Sequence, residues 1–241
     1  MGAKPKYKRV LLKISGELLK GSYDFGFDTH VINDFVKQVQ SVVSMGVELA
    51  LVVGGGNIFR GVGPFAHDMD RTTADNIGML ATLINALMLQ DAFEKKGIDV
   101  RILSAIPAPN VAEPFIRRRA LKHLEEGRVV IFACGTGSPF FTTDTAAALR
   151  ACEIDADVLL KGTKVQGVFS ADPEQDPHAL FYDRISYDDV LSRNLKVMDA
   201  AAFAMCRDNN LPIIVFDFTR PNNLKNIVLG KPIGTLVKGE G

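Results

Sequence analysis

The sequence predicts an α/β fold, a three-layer αβα sandwich around a mostly parallel sheet. Short apolar runs of strand length alternate with helix-length segments along most of the chain. Glycine- or hydroxyl-rich turns follow several of those runs, where a parallel sheet places its ligands. The 241 residues carry no linker, low-complexity stretch or internal repeat, so 1–241 are expected to form one domain.

Val10–Ile14 reads as the first strand. Asp28 and Thr29 can cap a helix with Val31, Ile32, Phe35, Val39 and Val42 at helical spacing, stopped at Gly46. Val47–Val53 is the second strand, and a long helix runs from about Thr72 to Lys96, ending at Gly97. Val100–Leu103 is a strand, Phe115–Glu126 a helix ending at Gly127, and Val129–Ala133 a fourth strand. Thr143–Glu153 reads as helix, Val158–Leu160 as a fifth strand, Ile213–Phe216 as a strand and Asn222–Leu229 as a short helix. The loosest stretch is Ser170–Pro177, with two prolines and several acids. The long helix is apolar on more than one face (Ile77, Met79, Leu80, Leu83, Ile84, Leu87, Met88, Leu89). It is either buried within the domain or packed against another subunit.

Composition narrows the function. Lys plus Arg (28) equal Asp plus Glu (28), and a net charge of zero gives no support for a nucleic-acid or membrane-surface partner. No apolar stretch is long enough to span a bilayer, and Met1–Arg9 is basic and polar rather than signal-like. Cys134, Cys152 and Cys206 lie far apart, and the four histidines form no HxxxH pair. Neither a disulfide framework nor a zinc site is expected, and a reducing cytoplasm is the simplest setting.

The chemistry gathers at the strand ends. Gly54-Gly55-Gly56-Asn57-Ile58-Phe59-Arg60-Gly61 follows the second strand, where glycines expose backbone N–H groups and Arg60 adds a cationic fork. Lys13-Ile14-Ser15-Gly16-Glu17 ends the first strand; Gly135 to Asp144 places glycines and hydroxyls before a helix N-terminus; Lys161 to Phe169 brings a second lysine to the same edge. Phe140 and Phe141 can wall a flat base or fill the core. A P-loop is missing, since Gly-Lys occurs only at Gly230-Lys231 and Pro232 follows. Lysines, an arginine and glycine turns at one edge suit phosphoryl transfer, which needs positioning and charge neutralisation. A phosphate acceptor, already anionic with a second pKa of about 6, needs no general base. Magnesium would arrive with the nucleotide, as no protein metal cage is visible.

These segments, with Asp70-Arg71-Thr72-Thr73-Ala74-Asp75, closely resemble the bacterial uridylate kinases (UMP kinases) of the amino-acid-kinase fold family, from about Lys8 to Val237. The resemblance implies magnesium-dependent transfer of the ATP γ-phosphate to UMP. By position, Lys13, Ile14, Ser15, Gly16, Gly56 and Arg60 would contact ATP phosphates, and Thr163, Phe169 and Asp172 would line the adenosine side. Gly55 and Asp75 would hold UMP, Asp75 through the ribose hydroxyls, and Thr136, Gly137, Ser138, Pro139, Phe140, Phe141, Thr142 and Thr143 would wrap it. Lys13 and Lys161 would stabilise the transferred group, with Asp144 orienting the lysines or the metal. A side chain at Gly55 or Gly56 is expected to harm turnover more than stability.

The family further implies hexamers contacting through the long helix, UTP as inhibitor and GTP as candidate activator. Asp24 departs from the small residue usual in GTP-responsive members, and an acid there does not favour an anionic effector. Arg101 and Arg117-Arg118-Arg119 can form an effector site, or the triple arginine a solvated helix face. Two other readings remain at this stage: kinases of the wider fold that phosphorylate small acids, and a nucleotide sensor without catalysis.

Overall fold

The computed structural model describes residues 4–60, 68–173, 175–195 and 197–239. Gly61, the last residue of the glycine segment, and Glu174, in the 170–177 stretch, lie outside them. The strands are β1 (Arg9–Ile14), β2 (Glu48–Val53), β3 (Val100–Ser104), β4 (Glu113–Pro114), β5 (Val129–Ala133), β6 (Val158–Thr163), β7 (Val168–Phe169), β8 (Phe181–Tyr182), β9 (Arg184–Ser186), β10 (Ile213–Asp217) and β11 (Thr235–Lys238). The helices are α1 (Thr29–Val43), α2 (Arg71–Glu94), α3 (Arg117–Glu125), α4 (Thr143–Glu153), α5 (Tyr187–Ser192), α6 (Ala200–Asp208) and α7 (Asn223–Val228).

Nine strands form one sheet in the order β4-β3-β5-β2-β1-β6-β10-β11-β9, parallel except where β11 runs against β10. β7 and β8 make a separate antiparallel pair. The parallel strands read as largely apolar runs because both of their faces are covered. Alternate residues serve opposite faces. Val10, Leu12 and Ile14 of β1 pack with α1, α2 and α7, while Leu11 packs with the apolar sides of α3, α4, α5 and α6.

Side-chain caps start most of the helices. Asp28 accepts from the N–H groups of His30 and Val31, Asp70 from Thr73, Thr142 from Asp144 and Thr145, and Asp199 from Ala202. Such a cap contributes about 1 kcal/mol. Gly46, Gly97 and Gly127 follow α1, α2 and α3 with φ of 80°, 73° and 77°, the left-handed conformation that ends a helix cheaply only at glycine. The amphipathic stripe of α1 buries Ile32, Phe35, Val36, Val39 and Val42. Phe35 lies 5.7 Å from the Phe93 ring of α2 and 5.2 Å from Phe218, tying both helices to the end of β10. Truncating it to alanine costs about 3–5 kcal/mol.

The chain leaves β1 for β2 on one side and returns from β5 to β6 on the other, so the carboxyl end of β1 is a topological switch point.

Candidate active site

Parity places the two lysines. Lys13 follows the register of Leu11 and Lys161 that of Leu159, so both side chains stand on the face covered by α4. They are direct partners in the parallel β1–β6 ladder. The sequence reading put Lys161 in a turn after a three-residue strand, whereas β6 continues to Thr163 with Lys161 inside it. Gly162 lies within β6, and it is glycine because the Ile14 side chain occupies the space a Cβ would need.

Asp144, in the first turn of α4, reaches both ammonium groups. Its Oδ1 lies 2.6 Å from Lys13 Nζ and its Oδ2 accepts a 2.7 Å hydrogen bond from Lys161 Nζ. Oδ1 is buried, and the Lys13 ammonium is the group that faces it. Lys161 Nζ also donates to the Val197 carbonyl at 2.6 Å. Burial pushes the Asp144 carboxyl up, but the charges of Lys13 and Lys161 overcome it and hold it below the ordinary aspartate value. Burial pushes the Lys161 ammonium down; Asp144 pulls it back only in part, and Lys13 adds to the depression.

The glycine turn packs against this cluster. Gly54, Gly55 and Gly56 do not have left-handed φ values, so close approach explains them. A Cβ on Gly55 would come within 2.8 Å of the Gly78 carbonyl and 2.9 Å of Ala81 in α2, whereas one on Gly56 would meet only the Glu17 side chain at 3.3 Å. Gly55 is therefore held by packing as well as by its place at the site, so a side chain there presses on α2 in addition to any effect on turnover. Among the described residues, the N–H groups of Gly55 and Gly56 have no protein acceptor. Arg60 lies beside the turn, with Nη2 3.0 Å from Glu17 Oε1 in a half-exposed pair.

A cleft of about 160 Å³ runs from this turn to the segment after β5, lined by Gly55, Gly56, Asp75, Met79, Phe141 and Thr143 among others. Phe140 and Phe141 are exposed (65% and 51%), which rules out core filling and leaves them at the rim. Phe140 has φ 70°, a strained value for a bulky residue. Its N–H donates to Asp75 Oδ2 at 2.8 Å, and Arg71 both donates to that oxygen and lies over the Phe140 ring.

The remaining expected residues divide. Ile14 is a core side chain and offers only its backbone to a ligand. The Ser15 hydroxyl caps the following turn, and that of Thr136 bonds within Thr136–Ser138, where Gly137 has φ 82° and Pro139 is half-buried beside Phe140. Thr142 caps α4 and bonds Asp199, while Thr143 comes close to Gly54. Gly16 sits against the Gly54 carbonyl, within 2.6 Å of Asn57 Oδ1 for an added Cβ. Thr163 ends β6, Phe169 packs at a tilt against Phe181 in the β7–β8 pair, and Asp172 lies in the exposed turn beyond, where its Oδ2 accepts from Gln175. These three stand on the β6 side of the lysines, away from the Asp75 cleft. Arg101 pairs with Asp99, Arg117 with Asp155 and Arg119 with Glu113, so Arg117 and Arg119 point to separate carboxylates.

Three contributors escaped the sequence reading. Asp199 holds the hydroxyls of Thr142 and Thr145 and raises the charge affinity of Lys161; the Val197 carbonyl fixes the same lysine; Asn85 of α2 donates to the Gly54 carbonyl at 2.6 Å. For Asn85 a signal existed: an asparagine between apolar neighbours in a helix apolar on two faces is a buried polar group in need of a partner.

A parallel sheet with paired lysines, one carboxylate and open glycine N–H groups at its switch point defines a phosphotransferase without a P-loop. Residues 8–217 match the amino acid kinase family. A UMP kinase from Bacillus anthracis shares 42% identity over 98% of this chain and 97% of its own, with a TM-score of 0.95. A UMP kinase from Ureaplasma parvum shares 38% over 97% and 99%, with a TM-score of 0.91, and a uridylate kinase from Archaeoglobus fulgidus 31% over 95% and 99%, at 0.74. The chain belongs to the amino acid kinase family, on its UMP kinase branch.

Proposed function

We propose that this protein transfers the γ-phosphoryl group of ATP to UMP, yielding ADP and UDP for pyrimidine nucleotide synthesis. The in-register Lys13–Lys161 pair on Asp144, beside the open Gly55 and Gly56 N–H groups, carries the reading. Two ammonium groups one strand apart supply positive charge where a phosphoryl group in transfer spreads negative charge over its oxygens. Asp144 keeps both aimed at one point. UMP attacks through a phosphate oxygen that is already anionic, so no base is required.

ATP phosphates lie along Lys13–Gly16, Gly56 and Arg60, with adenosine towards Thr163, Phe169 and Asp172. UMP occupies the Asp75 cleft between Gly55 and the Thr136–Thr143 segment, its base against the exposed phenylalanines. Among the described residues no group of three His, Cys, Asp or Glu side chains forms a resident metal site. Magnesium would come with the nucleotide phosphates, and Asp144, whose carboxylate is already paired with both lysines, is the acidic group at the site that would orient it. Bound there, magnesium would supply positive charge that offsets the negative charge of the phosphate groups.

The assembly proposed is a homo-oligomer, a hexamer by family likeness, joined through α2. Leu80 and Ile84, four residues apart on that helix, are each 47% exposed. Light scattering showing a monomer would refute it. UTP, sharing the uridine of UMP, is the proposed inhibitor and GTP the candidate effector. No helix among the described residues is long and apolar enough to cross a membrane, and the three cysteines are free, so the cytoplasm is the proposed setting.

The test supplies ATP and magnesium with UMP, CMP, aspartate, glutamate or acetylglutamate and follows ADP release. Turnover with UMP is expected; turnover only with an amino acid, or UMP binding without ADP release, overturns the reading. Arg60→Ala is expected to lose most activity at an unchanged melting temperature.

A further inference from the structure

Asn57 and Asn85 are buried, 1% and 0% exposed, and their side-chain amides bond each other reciprocally. Asn57 Nδ2 donates to Asn85 Oδ1 at 3.0 Å, and Asn85 Nδ2 donates to Asn57 Oδ1 at 2.7 Å. Each nitrogen spends its second N–H on a backbone carbonyl: Asn57 on Gly26 at 3.0 Å, Asn85 on Gly54 at 2.6 Å. The Gly26 N–H returns to the Asn57 carbonyl at 2.8 Å. All four amide N–H groups are used, so the network is closed, and a closed buried network holds one geometry.

The Gly54 bond has a directional effect. In a trans peptide the carbonyl and the next N–H point opposite ways, and no cis peptide is present among the described residues. Drawing the Gly54 carbonyl onto Asn85 therefore turns the Gly55 N–H away from it, to where no protein acceptor meets it. We infer that Asn85, braced by Asn57, is a positioning residue for phosphoryl transfer, presetting the Gly55 N–H as a phosphate donor. This rests on the function proposed above. Neither asparagine is placed in contact with substrate; they act through the Gly54–Gly55 peptide.

A preset donor lowers the barrier to transfer more than it improves ground-state binding. Asn85→Ala, and the similarly sized Asn85→Asp, which loses donation to Gly54, are expected to lower kcat roughly 10- to 100-fold while each KM changes about threefold or less. Leu83→Ala, a buried α2 residue outside the network, serves as control. It is expected to lower the melting temperature with kcat per folded molecule retained. Purified variants are compared by steady-state kinetics with ATP, magnesium and UMP and by thermal unfolding. If either folded Asn85 variant keeps wild-type kcat, or Leu83→Ala loses kcat alongside them, the positioning role is overturned. An inactive wild-type protein would instead sink the function reading, so the two failures are distinguishable.

Discussion

Lys13 and Lys161 are register partners on adjacent parallel strands, and the single carboxylate of Asp144 holds both ammonium groups. Two like charges side by side in a mostly buried place repel unless something stands between them, and α4 delivers that group at its first turn.

Asp144→Asn removes the charge but keeps the shape. The lysines then face each other uncompensated, at a cost of about 3–5 kcal/mol for breaking a buried pair. Activity is expected to fall roughly 100-fold or more. Urea unfolding at neutral pH, read beside turnover, checks both. The folded Asp144 pKa is depressed, so its contribution is complete above the unfolded value of about 4 and lost as pH falls through the folded one. The stability gap between wild type and variant should therefore be flat from about pH 5 to 8 and close in acid.

Lys161 titrates below the ordinary lysine value because it is buried. A charged lysine with a depressed folded pKa opposes folding, and that opposition is relieved as pH rises from the folded towards the unfolded value of about 10.4. The basic limb of the kcat/KM profile should accordingly fall below that value. Lys161→Arg, which stays charged throughout the accessible pH range, should move the limb upward even at reduced activity. A limb unmoved by the substitution would assign it to another group.

Asp75 supports the cleft in a second way, through the Phe140 N–H. Asp75→Ala removes that acceptor from a residue at φ 70°. The KM for UMP should rise roughly tenfold, as for loss of a charged hydrogen bond, with kcat less affected. Hydrogen exchange of the Phe140 amide should quicken in the same variant; unchanged exchange would separate the loop from Asp75.

Adjacent glycines should respond differently. Gly55→Ala presses on Gly78 and Ala81 of α2 and should cost about 1–3 kcal/mol. Gly56→Ala meets only the flexible Glu17 side chain, so it should remain folded and lose turnover. Melting temperatures and kinetics of the pair decide the matter, and a normally active Gly56→Ala would remove Gly56 from the residues proposed to contact ATP phosphates.

Much of this was legible from residues. The central strands announce themselves as apolar runs because both faces are covered, and helix ends are marked by Asp28 and by Gly46, Gly97 and Gly127. The lysines, Asp144 and the glycine turn were readable as strand-end chemistry. The region from His178 to Pro212 was not: β9, α5 and α6 are short, and β9 finds its partner β11 about fifty residues onward. Asp199 and Val197 went unseen with it. Gly162 looked like a turn residue because nothing local reveals the Ile14 side chain beside it.

The sheet register also acts as a ruler for charge. Since β1 and β6 lie about 4.8 Å apart, the spacing of the two ammonium-bearing backbones is set by the hydrogen-bond ladder and not by any loop. A one-residue slip would send Lys161 to the opposite face, and a two-residue slip would displace it by about 6.6 Å. The gap therefore admits no gradual adjustment. Acceptor choice can drift through the segment after β5, while the spacing of the two lysine backbones stays locked to the sheet itself.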